Sequence, residues 1–295
     1  MTSSRILADK PDWTQAAAIW PNRQASQFIE AGGLRWHVQI AGSGPALVLI
    51  HGTGAATHSW GGLLPLLADQ FTVIAPDLPG HGFTSTPKLS DLSLPAMAAA
   101  LAALLTTIHQ PPVMAIGHSA GAAILTRMTL DGLIKPQALV SLCGALLPLR
   151  GLAGTIFSPV AQLFARTSLV PRIVGQDARR PGAIERLING TGSQLTAEGV
   201  ACYRLLVQSP GHVAAAINMM ANWDLRPLQR DLPRLSMPLW LMTASNDQTV
   251  SPSEAKRVQR HLPSAKIHCI DGLGHLAHEE DPTQIAAWIK TLAPA

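Results

Sequence analysis

Seven short apolar runs punctuate the chain, each closed by turn residues. They are RWHVQIAG (35–42), ALVLIHG (46–52), FTVIAPD (71–77), PVMAIGHS (112–119), ALVSLCG (138–144), PLWLMTAS (238–245) and AKIHCIDG (265–272). Most are hydrophobic almost throughout rather than at alternate positions. A strand covered on both faces has no solvent side to mark, so the pattern predicts parallel strands within one sheet. Helical stretches at 93–108, 120–131, 252–262 and 282–292 lie between the runs. Strand–helix alternation with short loops predicts a doubly wound α/β fold. The first run and a predecessor near 27–31 alternate more, which predicts an antiparallel hairpin at one edge.

The alternation stops between about 150 and 232. That segment reads as helices broken by Pro159, Pro171, Pro181, Gly190, Gly192, Pro210 and Gly211. It lies between two core strands, so it must leave the sheet and return. Ligands of open α/β sheets bind at the carboxyl edge, and an insertion of this size over that edge is expected to act as a lid. The predicted organisation is a core of 1–149 and 233–295 with a helical lid at 150–232. The longest uncharged stretch, 93–108, falls short of the roughly 20 residues that cross a bilayer and is expected to be a buried helix.

Composition adds an apolar surplus. Charged residues make up 14% of the 295, against roughly 25% in an average soluble protein, and mean hydropathy is +0.20. Such a chain fills a large core and leaves apolar surface for a pocket or for peripheral contact with a membrane. The net charge of +4 is scattered, with Arg179 and Arg180 the densest pair. Without a basic cluster or a reading motif, nucleic acid is not expected as a partner. Cys143, Cys202 and Cys269 include no closely spaced pair, so no disulfide framework is expected, and Cys143 and Cys269 lie in apolar runs that place them in the core. The opening MTSSRILADKPDWTQ shows no apolar signal segment, which with the cysteines suggests a reducing, cytoplasmic location.

The chemistry centres on AIGHSAGAA (115–123). Ser119 sits between Gly117 and Gly121 after a predicted strand and before a predicted helix, the context a G-x-S-x-G nucleophile turn requires. A turn sharp enough to lift the hydroxyl above the sheet crowds neighbouring backbone, and glycines two residues either side remove the clashing Cβ atoms. A serine needs a base, and the base an orienting acid. Asp247 in TASNDQTVSP and His275 in DGLGHLAHEEDP follow later strands in the order Ser, Asp, His. The backbone N–H groups of Thr53, in HGTGAATHSW (51–60), and of Ala120 are candidate donors to an oxyanion. Asp77 reads as structural, holding loop backbone. Neither glycine loop, 41–46 or 51–60, continues to a phosphate-cradling signature, and His275 and His278 do not form a metal-binding spacing. No metal and no cofactor are expected.

HGTGAATHSW, DLPGHG, GHSAGAA, SNDQTV and GLGHLAHEEDP together resemble the α/β-hydrolase superfamily over roughly 30–290. The opening DW…WPNRQASQFIEAGGLRWHVQIAG, LINGTGSQL (187–195) and MMANWDLRPLQRDLP (219–233) are similar to the magnesium-chelatase accessory branch of bacteriochlorophyll biosynthesis. The resemblance implies a role at or near insertion of magnesium into protoporphyrin IX, with magnesium-chelatase subunits as partners. Three readings stay open: a serine hydrolase in that process, a general esterase for large apolar esters, and a non-catalytic protein that binds and presents a porphyrin. The predicted lid carries apolar stretches at 151–164 and 214–225. Met219, Met220 and Trp223, with Trp60 and His118 from the core loops, are candidate pocket residues for a tetrapyrrole or its ester, although packing of lid helices accounts for the same pattern.

Overall fold

The computed structural model describes residues 9–148 and 169–292. Its strands are β1 Ser26–Ala31, β2 Leu34–Ala41, β3 Ala46–Ile50, β4 Thr72–Pro76, β5 Met114–His118, β6 Ala138–Leu142, β7 Leu239–Ala244 and β8 Lys266–Ile270. They form one sheet in the order β1-β2-β4-β3-β5-β6-β7-β8. Every apolar run of the sequence becomes one of these strands, its ends shifted by a residue or two. β3 to β6 are buried along nearly their whole length, as continuous hydrophobicity requires. β1 and β2 form the expected antiparallel edge hairpin, β2 also runs antiparallel to β4, and all other pairings are parallel.

Helices cover both faces. In chain order they are α1 Trp13–Ala16, α2 Leu63–Leu67, α3 Leu94–Ile108, α4 Ala120–Leu130, α5 Leu169–Asp177, α6 Ala183–Asn189, α7 Ala197–Val207, α8 Pro210–Ala221, α9 Arg226–Asp231, α10 Ser253–His261, α11 Ala277–Glu280 and α12 Pro282–Lys290. α3 and α4 pack on one face with Val48, Ile50, Ile74 and Ala115 beneath them. α2 and α12 pack on the other over Leu47, Leu49, Ile116 and Val140. Successive strand residues point to opposite faces, so β3 and β5 supply both cores.

The helices α5 to α9 lie between β6 and β7, where the sequence predicts an insertion. Not all of its prolines break helices. Pro210 opens α8, where a missing N–H costs nothing, and Pro171 sits in the first turn of α5. Pro159 and the apolar stretch 151–164 lie outside the described residues. The 93–108 stretch forms the helix α3, which is buried on one face only, through Leu94, Met97, Ala98, Leu101, Leu104 and Leu105, and among the described residues no helix is long and apolar enough to cross a membrane.

One expectation about the core needs correction. Cys143 is buried, but Cys269 is exposed. β8 is the last strand of the sheet, and its residues alternate between faces. His268 stacks on Trp288, while Cys269 points to the opposite face and, on the edge strand, stays exposed.

Asp77 follows β4 and ties three segments together. It accepts hydrogen bonds from Thr57 N at 2.7 Å, Phe83 N at 2.8 Å and His37 Nδ1 at 2.8 Å, all fully buried. Burial alone would raise its pKa; the adjacent His37 and these hydrogen bonds overcome that and hold the carboxyl well below its usual range. Because the folded pKa is depressed, the stabilisation is complete above about pH 4 and is lost as pH falls further. Asp77→Ala is expected to cost about 3–5 kcal/mol at neutral pH, the cost of breaking a buried pair from one side. Urea titrations of both proteins should show that deficit shrink at about pH 3, below the unfolded-state carboxylate range.

Candidate active site

The parallel strands end at one edge, with Ile50 beside Gly117 and Ala244 beside Ile270. The loops after β3, β5, β7 and β8 therefore gather there. Ser119 is the single residue between β5 and α4, with φ 49° and ψ −117°. Positive φ costs a side-chain-bearing residue energy and persists only where the surroundings over-determine it. Here they do: Ser119 N donates to Leu142 O at 3.1 Å, and its carbonyl accepts from Ala122 N at 3.2 Å and Ala145 N at 3.1 Å. The flanking glycines are required by contact. A Cβ at 121 would lie 2.1 Å from Ile50 O, and one at 117 would lie 2.3 Å from Ala122 N.

Asp247 and His275 are brought together from loops after β7 and β8. Asp247 Oδ1 accepts from Thr249 N and Val250 N, each at 2.8 Å, and Oδ2 lies 2.8 Å from His275 Nδ1. A proton on Nδ1 leaves Nε2 as the acceptor. Ser119 and His275 line the same cavity, of about 1120 Å³. Among the described residues no hydrogen bond joins Ser119 Oγ to His275; in catalytic sites that bond often tightens only around substrate.

Thr53 and Ala120 line the cavity beside Ser119. Ala120 is the first residue of α4, so its N–H has no intrahelical acceptor. His118, Met220 and Trp223 also line the cavity. His118 does a second thing: its Nε2 lies 3.0 Å from the carbonyl of His275 and, as donor, anchors the loop that carries His275. Burial, then the neighbouring His278 and His275, keep this imidazole neutral by pushing its pKa well below the ordinary value.

Two candidate pocket residues lie elsewhere. Trp60 is fully buried in the layer under α2 and α12, with its ring 4.6 Å from that of His278. It ends a tight turn leading into α2 and points down into the core instead of into the cleft. Met219 is also fully buried, and its sulfur accepts from Thr53 Oγ1 at 3.6 Å. One helical residue is about 100° of rotation, so only Met220 of this pair faces the opening.

Other residues near the site are not marked out by the sequence as functional, although Ser59, His278 and Glu279 lie within the motif stretches HGTGAATHSW and GLGHLAHEEDP. Ser59 Oγ donates to Glu279 Oε1 at 2.5 Å and pairs with His278 Nε2 at 2.8 Å, and Tyr203 of α7 donates to the same Glu279 oxygen at 2.7 Å. Tyr203 also lines the cavity. Cys143 takes φ 46° at the end of β6. Its sulfur, Asp247 and His275 offer donor atoms within 4.8 Å of one another. Burial, then the Asp247 charge, push the thiol pKa well above its usual value. The protonated thiol is a weak donor and hydrogen-bonds the Asp247 carboxylate.

A family model described as the alpha/beta hydrolase family matches residues 47–288, and the chain belongs to that family. Among its relatives, the magnesium-chelatase 30 kDa subunit of Rhodobacter capsulatus is 36% identical over 264 residues, 89% of this chain and 92% of that protein. The pyrrolizixenacetamide deacetylase of Xenorhabdus hominickii is 26% identical over 89% of this chain and 96% of its own length. Among solved structures, the epoxide hydrolase CorEH superposes with a TM-score of 0.71 at 21% identity, covering 90% of this chain and 97% of that one. A thermophilic esterase from Thermogutta terrifontis gives 0.68 at 23%, covering 90% and 97%. These two establish the fold.

Glu279 generates a pH prediction. Burial pushes its carboxyl from an ordinary value near 4.5 up to about 7, against the hydrogen bonds from Ser59 and Tyr203. The folded chain holds this proton more tightly than the unfolded chain. Its contribution is full at low pH and is lost as pH rises through about 7, a change of about 3 kcal/mol. Buried histidines with depressed pKa values slope the opposite way, so a difference measurement is needed. Urea midpoints at about pH 5 and pH 8 should show Glu279→Gln gaining stability relative to wild type as pH rises.

Proposed function

We propose that this protein is a serine hydrolase of bacteriochlorophyll biosynthesis, acting on a large apolar ester of the tetrapyrrole class in the neighbourhood of magnesium chelatase. The observation that carries the reading is the shared cavity. It holds a serine on a strained strand-to-helix turn together with a histidine already paired to a buried aspartate. In this reading His275 Nε2 takes the Ser119 proton as Oγ attacks the ester carbonyl, and Asp247 stabilises the resulting imidazolium. The N–H groups of Thr53 and Ala120 receive the oxyanion. The imidazolium then protonates the departing alcohol, and water, activated by the same histidine, releases the acid from Ser119.

The substrate class is supported by size and lining. A volume of about 1120 Å³ lies just above the usual range of ligand cavities, roughly 300–1,000 Å³. Leu187, Ile188, Val213, Ile217, Met220 and Trp223 supply a largely apolar wall. That wall belongs to the segment between β6 and β7, which we read as a cap over 150–232 on a core of 1–149 and 233–295. The placement beside the chelatase is supported by the 36% identity to its 30 kDa subunit namesake.

A fluorophosphonate probe is expected to label the wild type at Ser119 and to leave Ser119→Ala unlabelled. Asp247→Asn should lower p-nitrophenyl ester turnover about 10⁴-fold, the scale of losing the orienting acid. An unlabelled wild type with intact fold would remove the hydrolase reading. The cavity favours a second reading, a binder that presents a porphyrin. Protoporphyrin IX should quench Trp223 fluorescence, with the quench reduced in Trp223→Phe. If Ser119→Ala fully restores pigment synthesis in a host deleted for its own homologue, binding is the function and turnover is dispensable.

A further inference from the structure

The turn after α6, residues 191–193, touches both loops that carry the acid and the base. Thr191 O accepts from Gln248 N at 3.1 Å and from His275 N at 3.3 Å. One carbonyl thus bridges the residue after Asp247 and the backbone of His275 itself. Ser193 is fully buried, and its Oγ accepts from Leu276 N at 2.8 Å. Glu280 extends the tie, accepting from Gly274 N at 2.7 Å and from Gln194 N at 3.0 Å. Gly192, at φ +84°, lies so close to both loops that a Cβ on it would be 1.9 Å from Asn246 O. A Cβ on Gly274 would in turn be 2.3 Å from Gly192 O.

The same turn is fastened on its other side. Thr191 N and Gly192 N close the end of α6 onto Ile188 O and Asn189 O, at 2.9 and 3.0 Å. Ile184 and Ile188 of α6 pack in one apolar cluster with Val200 and Tyr203 of α7, Leu276 beside the base, and Ala55 of the loop after β3. Leu187, Ile188 and Thr191 line the cavity. A ligand filling the cavity therefore bears on the element whose far side grips Asp247 and His275.

We propose that the Thr191-Gly192-Ser193 turn is the positioning element of the acid–base pair: when seated it holds the loops of Asp247 and His275 in register, so that placement of the α6–α7 helices and competence of the pair are one event. Gly192 and Ser193 do not line the cavity, and Thr191, which does, grips the two loops through its backbone carbonyl; the turn acts on the pair through those loops. The inference rests on the reading of Ser119, Asp247 and His275 as a triad, but its effect on the His275–Asp247 hydrogen bond can be observed without turnover.

The test uses the full chain and two readouts. One is the second-order rate of fluorophosphonate labelling across pH. The other is the downfield proton NMR signal of the His275 Nδ1–Asp247 hydrogen bond, which requires no hydrolysis. Ser193→Ala is expected to slow labelling about tenfold, to shift or broaden the downfield proton, and to move the labelling pH midpoint. Ser193→Thr, which keeps the hydroxyl, should restore all three. Gly192→Ala should slow labelling about a hundredfold, the scale of a 1 Å misplacement. If it does not fold, the Ser193 pair decides alone. Thr196→Ala removes the hydroxyl that accepts from Gly199 N at the start of α7, on the same helices but away from both loops. It should lower the melting temperature yet leave the downfield proton and the labelling pH midpoint unchanged. A wild-type signal and labelling profile in Ser193→Ala would overturn the proposal, as would an equal loss in Thr196→Ala. If the wild type resists labelling while Ser193→Ala alone loses the downfield proton, the positioning role stands and the hydrolase reading falls.

Discussion

The structure depends most on the close approach between the start of α4 and the carboxyl end of β3. Gly121 sits where any Cβ would come within 2.1 Å of Ile50 O. That contact lets α4 lie almost wholly buried across the sheet, with nearly every residue from Ala120 to Thr129 out of solvent. It also leaves the chain one residue in which to turn from strand to helix, and that residue is Ser119. The positive-φ backbone there is held by the packing around it, by the hydrogen bond Ser119 N donates to Leu142 O, and by those its carbonyl accepts from Ala122 N and Ala145 N. Relaxing the contact would lower the strain and move the hydroxyl at the same time. Stability of the central helix and exposure of the serine are therefore the same geometric fact.

The electrostatics around this point are built by exclusion. Burial drives the pKa values of His51, His58, His81, His118, His212 and His278 below the ordinary imidazole value, so these rings serve as neutral packing and hydrogen-bonding groups, His51 Nε2 and His212 Nδ1 accepting from Leu78 N and Gly82 N. Two histidines instead meet carboxylates, and they do so with the same geometry. His37 Nδ1 and His275 Nδ1 each lie 2.8 Å from an aspartate Oδ2. The difference is access. His37 is sealed, and its Nε2 reaches no partner. His275 opens on the cavity that holds Ser119. One interaction type thus fastens loop backbone around Asp77 in one place and orients an imidazole that faces the cavity in the other.

What the sequence made legible follows from how local each signal is. Strand and helix order could be read because burial on two faces writes continuous apolar runs, and the Gly-His-Ser-Ala-Gly turn because its steric demand is confined to five residues. Asp247 and His275 could be placed because each follows a strand by a few residues, which puts both at the same sheet edge. Side-chain direction was harder. Trp60 and Met219 lie in the right segments, but a tight turn and a single helical step aim them into the core. Cys269 has a core residue's apolar neighbours in sequence and a place on an edge strand that only tertiary structure reveals. The Ser59–Glu279–Tyr203 cluster joins residues more than seventy positions apart through ordinary residue types, with no periodicity or spacing to announce it.

The cavity has two kinds of wall, and they answer to different constraints. The floor is made by Gly52, Thr53, Ser119, Ala120 and His275, whose positions are fixed by strand register and by the α4 contact. The opposite wall comes from α6, α7, α8 and the residues after α8, where apolar side chains meet the cavity and substitutions change shape without touching strand pairing. A fold divided this way can hold one set of chemical groups constant while the size and polarity of the ligand change. It also needs the two walls to stay in register. In this protein that demand falls on the few residues where the helical wall meets the loops of Asp247 and His275, and there a glycine, a backbone carbonyl and a buried hydroxyl leave little freedom to slip.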